Sequence, residues 1–407
     1  MKKLLIVGAG IYQMPLIEYA TSVCSVICAA PSIPEKIKKY LSKTYICDVR
    51  DKDSVLNFAR EEKIDGVITD QTDIAVRTVA YVADKLGLSG IGYDVACQFT
   101  DKTLMRQRLV ELGIKTIPFK SIRNFDEARD FFYVNSEHPV IIKPADNQGS
   151  RGVEVCRNLT ELKNGVNKAI AYSKSSTAVI EKYACGREFV VEALCFKGEY
   201  KPLIWGDSHY FTINNMFAPY ERIFPSDASD TTINKLLELN EKIIKGFRLR
   251  QGISHSEYIM DGDDIYLIET AARGGGCFIS SDLINIGSGL NTEEFLVNLA
   301  LGAQKKMPVL KDETKACSYM AFVLPSGTIE SVEGVDVVKK LPYVHRNLLD
   351  TIIVGSKTTV TCDKTSRYVI TIEADNLNQL KERMNYIRNT LKIRVNDNGN
   401  EQGIIFN

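Results

Sequence analysis

The chain has 407 residues, 44% of them hydrophobic, and its 51 Lys+Arg balance its 51 Asp+Glu. That length predicts roughly two to four domains with a sizeable core. A formal charge of zero argues against a nucleic-acid or anionic-membrane partner, because neutralising phosphates leaves an excess of Lys and Arg.

No apolar run approaches the ~18 residues of a membrane span. The opening stretch through Leu4-Leu5-Ile6-Val7 is too short for a signal-peptide core, and Gly8-Ala9-Gly10 reads as a strand-to-helix turn. Ten cysteines lie scattered singly. The nearest pair, Cys24 and Cys28, has no second pair or neighbouring His, so free thiols in a reducing cytoplasm are expected.

In chain order, 4–7 reads as a strand, 12–20 as a helix, 25–29 as a strand, 53–62 as a helix, 66–69 as a strand and 74–86 as a helix. This βαβ rhythm predicts a parallel sheet with helices on both faces. The Gly8-x-Gly10 turn lacks the rest of a dinucleotide fingerprint: position 13 is Gln13, and no acid follows the second strand at Cys28-Ala29-Ala30-Pro31. It reads as a tight turn in a Rossmann-like sheet rather than an NAD site. No P-loop sequence occurs. A Gly-rich stretch (Gly87, Gly90, Gly92) marks a boundary near 100. Residues 101–305 read as mixed α and β, and 306–407 as β-rich (317–324, 351–354, 367–373) with a closing helix at 377–390.

The central segment carries the chemistry. Lys102 sits in the first turn of a helix, where the positive end of the dipole disfavours it unless an anion is bound. Lys143 ends the apolar strand Pro139-Val140-Ile141-Ile142-Lys143-Pro144. The loop Asn147-Gln148-Gly149-Ser150-Arg151-Gly152 follows, and its N–H groups suit a nest for phosphate oxygens. Either lysine alone reads as a surface charge; together with this loop they read as a triphosphate cradle. Glu181 and Glu188 flank a Gly turn and would meet an amino group and a ribose diol, or else face solvent.

Glu257 and Glu269 lie on two strands joined at Asp261-Gly262-Asp263-Asp264. A three-residue loop would put them opposite each other on one face, whereas a two-residue loop would put them on opposite faces. Opposed carboxylates need a cation between them, and Mg²⁺ fits that need. Arg273, before Gly274-Gly275-Gly276, would neutralise a transferred phosphoryl group or grip a carboxylate. Residues 205–211, with His209, read either as the lining of an acceptor pocket or as a strand end with its loop. Arg222, Asp282 and Asn285 are further candidates for substrate contact.

The order Asp101-Lys102, Ile142-Lys143 with its glycine loop, Glu181 to Glu188, then Glu257 and Glu269 to Arg273 resembles the ATP-grasp superfamily of carboxylate–amine ligases. That superfamily includes biotin carboxylase, carbamoyl-phosphate synthetase, D-alanine–D-alanine ligase and bacterial L-amino-acid ligases. The resemblance covers essentially the whole chain. It implies an α/β and α+β multidomain fold: a Rossmann-like domain over 1–100, an ATP-grasp domain over 101–305 with a phosphate-loop subdomain at about 115–185, and a β-rich cap over 306–407.

By position, the resemblance implies that Lys102 and Lys143 contact ATP phosphates under a loop containing Gln148, Gly149 and Ser150. Glu181, with backbone at Lys182 and Tyr183, would meet adenine, and Glu188 the ribose. Glu257 and Glu269 would bind Mg²⁺ or Mn²⁺. Lys143 and Arg273 would be catalytic, and His209, Arg222, Arg273 and Gly275 would meet substrate. The family's Glu-x-Asn-Pro-Arg is here Glu269-Thr270-Ala271-Ala272-Arg273. Ala271 cannot ligate through its side chain, so a second metal would be held more loosely or helped by an upstream residue such as His255.

The implied activity is a cytoplasmic, ADP-producing ligase that joins a small carboxylate to an amine through an acyl-phosphate, on amino-acid-like substrates and as a possible homodimer. Its alternatives are a bicarbonate-using carboxylase or carbamoyl-phosphate-type enzyme, and a nucleotide-binding regulator without turnover.

Overall fold

The computed structural model describes residues 1–407 apart from 136, 148, 214, 215, 312, 313 and 361–365. Four strands, β1 (Lys3–Val7), β2 (Ser25–Ala30), β3 (Lys43–Ile46) and β4 (Gly66–Ile68), form a parallel sheet in the order β3-β2-β1-β4. Leu5, Val7 and Ile27 pack under the helices Lys52–Glu62 and Val76–Leu86. Leu4, Ile6 and Val26 face the helix Met14–Val23 and the distant helix Thr292–Ala300. Helices on both faces explain the unbroken apolar run of β1. The extra strand β3 escapes sequence patterning because it is a largely exposed edge with the sequence Lys-Thr-Tyr-Ile.

The turn after β1 is filled from within. Gln13 folds back so that its Oε1 accepts from the Gly10 N–H at 2.9 Å, while its Nε2 donates to the Asp70 carbonyl at 2.8 Å. A Cβ on Gly10 would lie 2.8 Å from that Oε1. The glycine makes room for a side chain of the same protein.

Strands β5 (Phe119–Ile122), β6 (Val140–Pro144), β7 (Glu154–Cys156) and β8 (Ala178–Lys182) form an antiparallel sheet in the order β5-β8-β6-β7. The chain continues as β9 (Arg187–Phe196), β10 (Glu199–Tyr210), β11 (Pro219–Phe224), β12 (Gly252–Asp261), β13 (Asp264–Ala271), β14 (Ala316–Phe322), β15 (Gly327–Glu333), β16 (Val344–Asn347), β17 (Lys357–Thr358), β18 (Tyr368–Ala374), β19 (Lys392–Asp397) and β20 (Asn400–Gln402). Eight of these make one sheet in the order β13-β12-β9-β10-β11-β14-β18-β16, and the others make a small sheet, β17-β15-β19-β20.

The large sheet runs across residue 305, since β14 pairs with β11. The expected strand at 351–354 is absent. Leu349–Thr351 form a 3₁₀ turn, and Ile353 and Val354 are exposed at a bend closed by Gly355, whose N–H donates to the Ile329 carbonyl at 2.8 Å. The closing helix is found at Leu377–Thr390. No helix among the described residues is long and apolar enough to cross a membrane.

Candidate active site

A cavity of about 390 Å³ opens between the β5-β8-β6-β7 sheet and strands β9–β13. Lys102, Lys143, Gly149, Ser150, Glu181, Lys182, Tyr183, Glu188, Glu257 and Glu269 all lie on its wall. Gln148 falls outside the described residues.

Lys102 opens the helix Lys102–Glu111, which Asp101 caps by accepting from the Thr103 and Leu104 N–H groups. This cap leaves the lysine side chain free to reach across the cavity, where Nζ donates to Glu269 Oε1 and to the Asn147 carbonyl, both at 2.9 Å. Burial works against its charge, but the Glu269 carboxylate outweighs it and raises the lysine above its ordinary range.

One turn along the same helix face stands Arg106, which sequence reasoning missed. Its Nε donates to Glu181 Oε1 at 2.6 Å, and Lys143 Nζ donates to Glu181 Oε2 at 2.7 Å. The register pairs Ile141 with Glu181, which makes Lys143 and Glu181 diagonal neighbours on one face. Glu181 is 1% exposed; burial alone would raise its carboxyl, but the two cations overcome this and hold it at about 2. Both of its oxygens are therefore occupied by side chains of the protein. The Lys182 and Tyr183 N–H groups donate to the carbonyls of Pro118 (3.0 Å) and Pro139 (2.9 Å), so only their carbonyls can face a base. A spacing signal existed for Arg106: it follows Lys102 by four residues.

Glu257 and Glu269 are direct cross-strand partners. The turn between their strands has two residues, Gly262 and Asp263, which by itself would send the pair to opposite faces. A bulge at Ile268 shifts the register between Tyr258–Leu267 and Glu257–Glu269 and restores them to one face. Arg106 Nη2 donates to the Ile268 carbonyl at 2.8 Å, which ties the bulge to the lysine-bearing helix. Each carboxylate has its own cation: Lys102 on Glu269, and Arg222, 3% exposed, on Glu257.

No cluster of three metal-ligating His, Cys, Asp or Glu exists among the described residues. Two facing carboxylates on a cavity wall nevertheless fit Mg²⁺, which takes one or two carboxylates and completes its shell with phosphate oxygens and water.

Across from Ala271 stands His255. Its Nε2 accepts from Arg222 Nη1 at 2.9 Å and lies 3.2 Å from Glu257 Oε1, while its Nδ1 bonds Glu192. This arrangement assigns the ring proton to Nδ1. Glu192 is fully buried and its other oxygen accepts from the Gly275 N–H at 3.1 Å. A Cβ on Gly275 would come within 2.5 Å of Glu192 Oε1. Gly275 thus supports the buried network and lies on neither of the two cavity walls that flank the carboxylate pair and Arg273.

His209 is not on the first cavity's wall. Strand alternation turns it away from the cavity, paired opposite Glu221 and bonded to it at 3.0 Å, while Tyr210 and Phe211 line the wall. Asp282 and Asn285 belong to a separate cavity, where Arg346 Nε donates to Asp282 at 2.9 Å. Glu188 shares the wall with Tyr210, and its carboxyl is pushed up to about 7, first by burial and further by Glu257.

Arg273 lies in a second cavity of about 310 Å³ that shares Gly149 and Arg151 with the first. Asp73, from the N-terminal part of the chain, accepts from its Nε and Nη2, both at 2.8 Å.

Comparison with known proteins gives these residues a context. Residues 136–282 match the ATP-grasp domain family model. The chain is 24% identical over 278 residues to the alanine–anticapsin ligase of Bacillus subtilis, covering 62% of this chain and 58% of that one. It is 29% identical over 200 residues to the D-alanine–D-alanine ligase of Fusobacterium nucleatum, covering 48% and 64%. In both cases the match spans less than two thirds of the relative's own length. The fold superposes on an L-amino acid ligase from Bacillus licheniformis with a TM-score of 0.80 at 20% identity, over 98% of this chain and 99% of that one.

Proposed function

We propose that this chain, built around the ATP-grasp domain of residues 136–282, is an ATP-dependent ligase that joins a carboxylate to an amine through an acyl-phosphate. The observation that carries the reading is the facing pair Glu257 and Glu269 on the wall of the first cavity, bracketed by Lys102 and by Arg222, which lines the second.

A carboxylate is a poor electrophile for an amine at neutral pH. Its oxygen attacks the γ-phosphorus of ATP, ADP leaves, and the acyl carbon becomes reactive. The amine nitrogen then attacks that carbon, inorganic phosphate departs with the C–O bonding pair, and the nitrogen loses a proton to solvent. Such transfers depend mainly on positioning and charge neutralisation.

In this proposal Lys102 and Lys143 meet the phosphates, each poised on a carboxylate that orients it. Gly149 and Ser150 cover them from the loop, where both residues adopt positive φ and Ser150 Oγ donates to the Phe217 carbonyl at 2.8 Å. Lys182 and Tyr183 offer carbonyls to the base, Glu188 takes the ribose hydroxyls, and Glu181 serves chiefly to hold Lys143 and Arg106. Glu257 and Glu269 would hold Mg²⁺, which when bound would supply charge neutralisation for the phosphates. Arg273, held by Asp73, faces the acyl-phosphate from the second cavity.

ADP release measured against carboxylates and amines tests the reading. Release that needs both substrates is expected. Release with bicarbonate alone would replace it with a carboxylase, and nucleotide binding without any turnover would leave a regulator.

A further inference from the structure

Between Phe189 and Phe196 every residue of β9 is buried, and all are apolar except Glu192. A carboxyl group removed from water carries a large desolvation cost unless its oxygens find donors. Glu192 lies on the wall of neither cavity, so it does not touch nucleotide or substrate. Its two oxygens hold the back of the site instead.

The register of β9 and β12 places Glu192 directly opposite His255, and its Oε1 accepts from His255 Nδ1. The other ring nitrogen is thereby left with a lone pair, which accepts from Arg222 Nη1 at 2.9 Å. Arg222 Nη2 in turn donates to Glu257. On the other side, Glu192 Oε2 accepts from the Gly275 N–H at 3.1 Å. The carbonyl of that same peptide unit belongs to Gly274, and it accepts from Arg273 Nη1 at 3.0 Å. Each oxygen of Glu192 therefore reaches, through one intermediate group, an arginine on the second cavity's wall: Arg222 on one side and Arg273 on the other.

We propose that Glu192 is a positioning residue for the transfer, which sets Arg222 through the His255 ring and Arg273 through the Gly274–Gly275 peptide. The proposal rests on the ligase reading and adds to it the group that aligns the side of the site at Glu257 with the side at Arg273. A carboxylate suits both donors, since each of its oxygens accepts. A glutamine of the same shape has an NH₂ in place of one oxygen, and that NH₂ must face either the Gly275 N–H or the ring. The peptide cannot exchange donor for acceptor, but an imidazole can. In Glu192→Gln the amide oxygen should keep Gly275, the ring proton should move to Nε2, and Arg222 Nη1 should lose its acceptor.

The test uses the full chain labelled with ¹⁵N-histidine, at about pH 8.5, above the ordinary imidazole range. Long-range ¹H–¹⁵N spectra show which ring nitrogen carries the proton, and His255→Asn identifies the His255 signals among the four histidines. The wild type should carry the proton on Nδ1 and Glu192→Gln on Nε2. In steady-state ADP release Glu192→Gln should lower kcat about tenfold or more, as loss of an orienting partner behind a site residue does. The KM for ATP and the affinity for a non-hydrolysable analogue should stay within about threefold, the pattern of an interaction that matters in the transition state. Analogue binding also reports that the variant is folded.

A wild-type ring protonated on Nε2, or on both nitrogens, overturns the proposal, and this signal decides even where the variant does not fold. A variant with a lowered urea midpoint and unchanged kcat overturns it too, because Glu192 then serves the fold alone, and it leaves the ligase reading intact. The expected tautomer change without ADP release from the wild type on any carboxylate–amine pair upholds the chain from Glu192 to Arg222 and removes the ligase.

Discussion

Glu257 and Glu269 stand directly opposite each other across β12 and β13, although the two-residue turn joining these strands would by itself separate them onto different faces. The bulge at Ile268 supplies the missing half-step, and Arg106 holds the bulged carbonyl. One helix therefore fixes the register of the carboxylate pair and, through Lys102 and through Glu181 with Lys143, both lysines around it.

If this pair holds the metal–nucleotide complex, Glu269→Gln keeps the shape and removes one charge. Turnover should fall roughly a hundredfold or more, as for other groups that stabilise developing charge, while nucleotide affinity changes only a few-fold. Steady-state ADP release alongside a nucleotide titration reads both. Unchanged turnover would refute the metal assignment.

Arg106→Ala leaves Glu181 buried beside Lys143 alone and strips the bulge of its anchor. Removing one partner of a buried ion pair costs about 3–5 kcal/mol, and urea denaturation should show a loss of that order. A variant within about 0.5 kcal/mol of the wild type, the usual range for surface substitutions, would mean that Lys143 alone neutralises Glu181.

Asp73 lies far from the nucleotide cavity in sequence and holds Arg273 with both oxygens. Asp73→Asn should leave one hydrogen bond and let the guanidinium drift. Misplacement of about an ångström can cost about a hundredfold in rate, so kcat should drop between roughly tenfold and a hundredfold with little change in the KM for ATP. A selective rise in that KM would place Arg273 on the nucleotide and not on the acyl-phosphate.

Asp70 is buried, and its carboxyl is pushed up to about 6, mainly by desolvation, although the Gly274 N–H donates to it at 2.9 Å. Between pH ~4 and ~6 the unfolded chain releases this proton before the native state does. Stability from this group therefore falls as pH rises through that window and is level above it. A shift of about two units corresponds to ~3 kcal/mol. Asp70→Asn should flatten the pH dependence of urea midpoints between pH 4 and 6. Parallel curves for variant and wild type would show that the burden lies elsewhere.

The helices Lys52–Glu62 and Leu377–Thr390 and the strands β1, β2 and β6 were legible because local patterning and side-chain caps mark them, as when Asp51 accepts from the Ser54 N–H at 3.1 Å. The site was legible as an order of residue types: two lysines, a glycine loop and four glutamates, all of which lie around one cavity. Its pairings were not legible. Asp73 meets Arg273 across 200 positions and Arg106 meets Glu181 across 75. His209 leaves the cavity because alternation along β10 turns it away.

The neutral total of the opening arithmetic hides a second cavity whose described wall carries four arginines and one acid. Periodicity and capping act over a few residues and are written in the chain itself. Register, bulges and charge neighbourhoods depend on where distant segments pack, and no local signal encodes them.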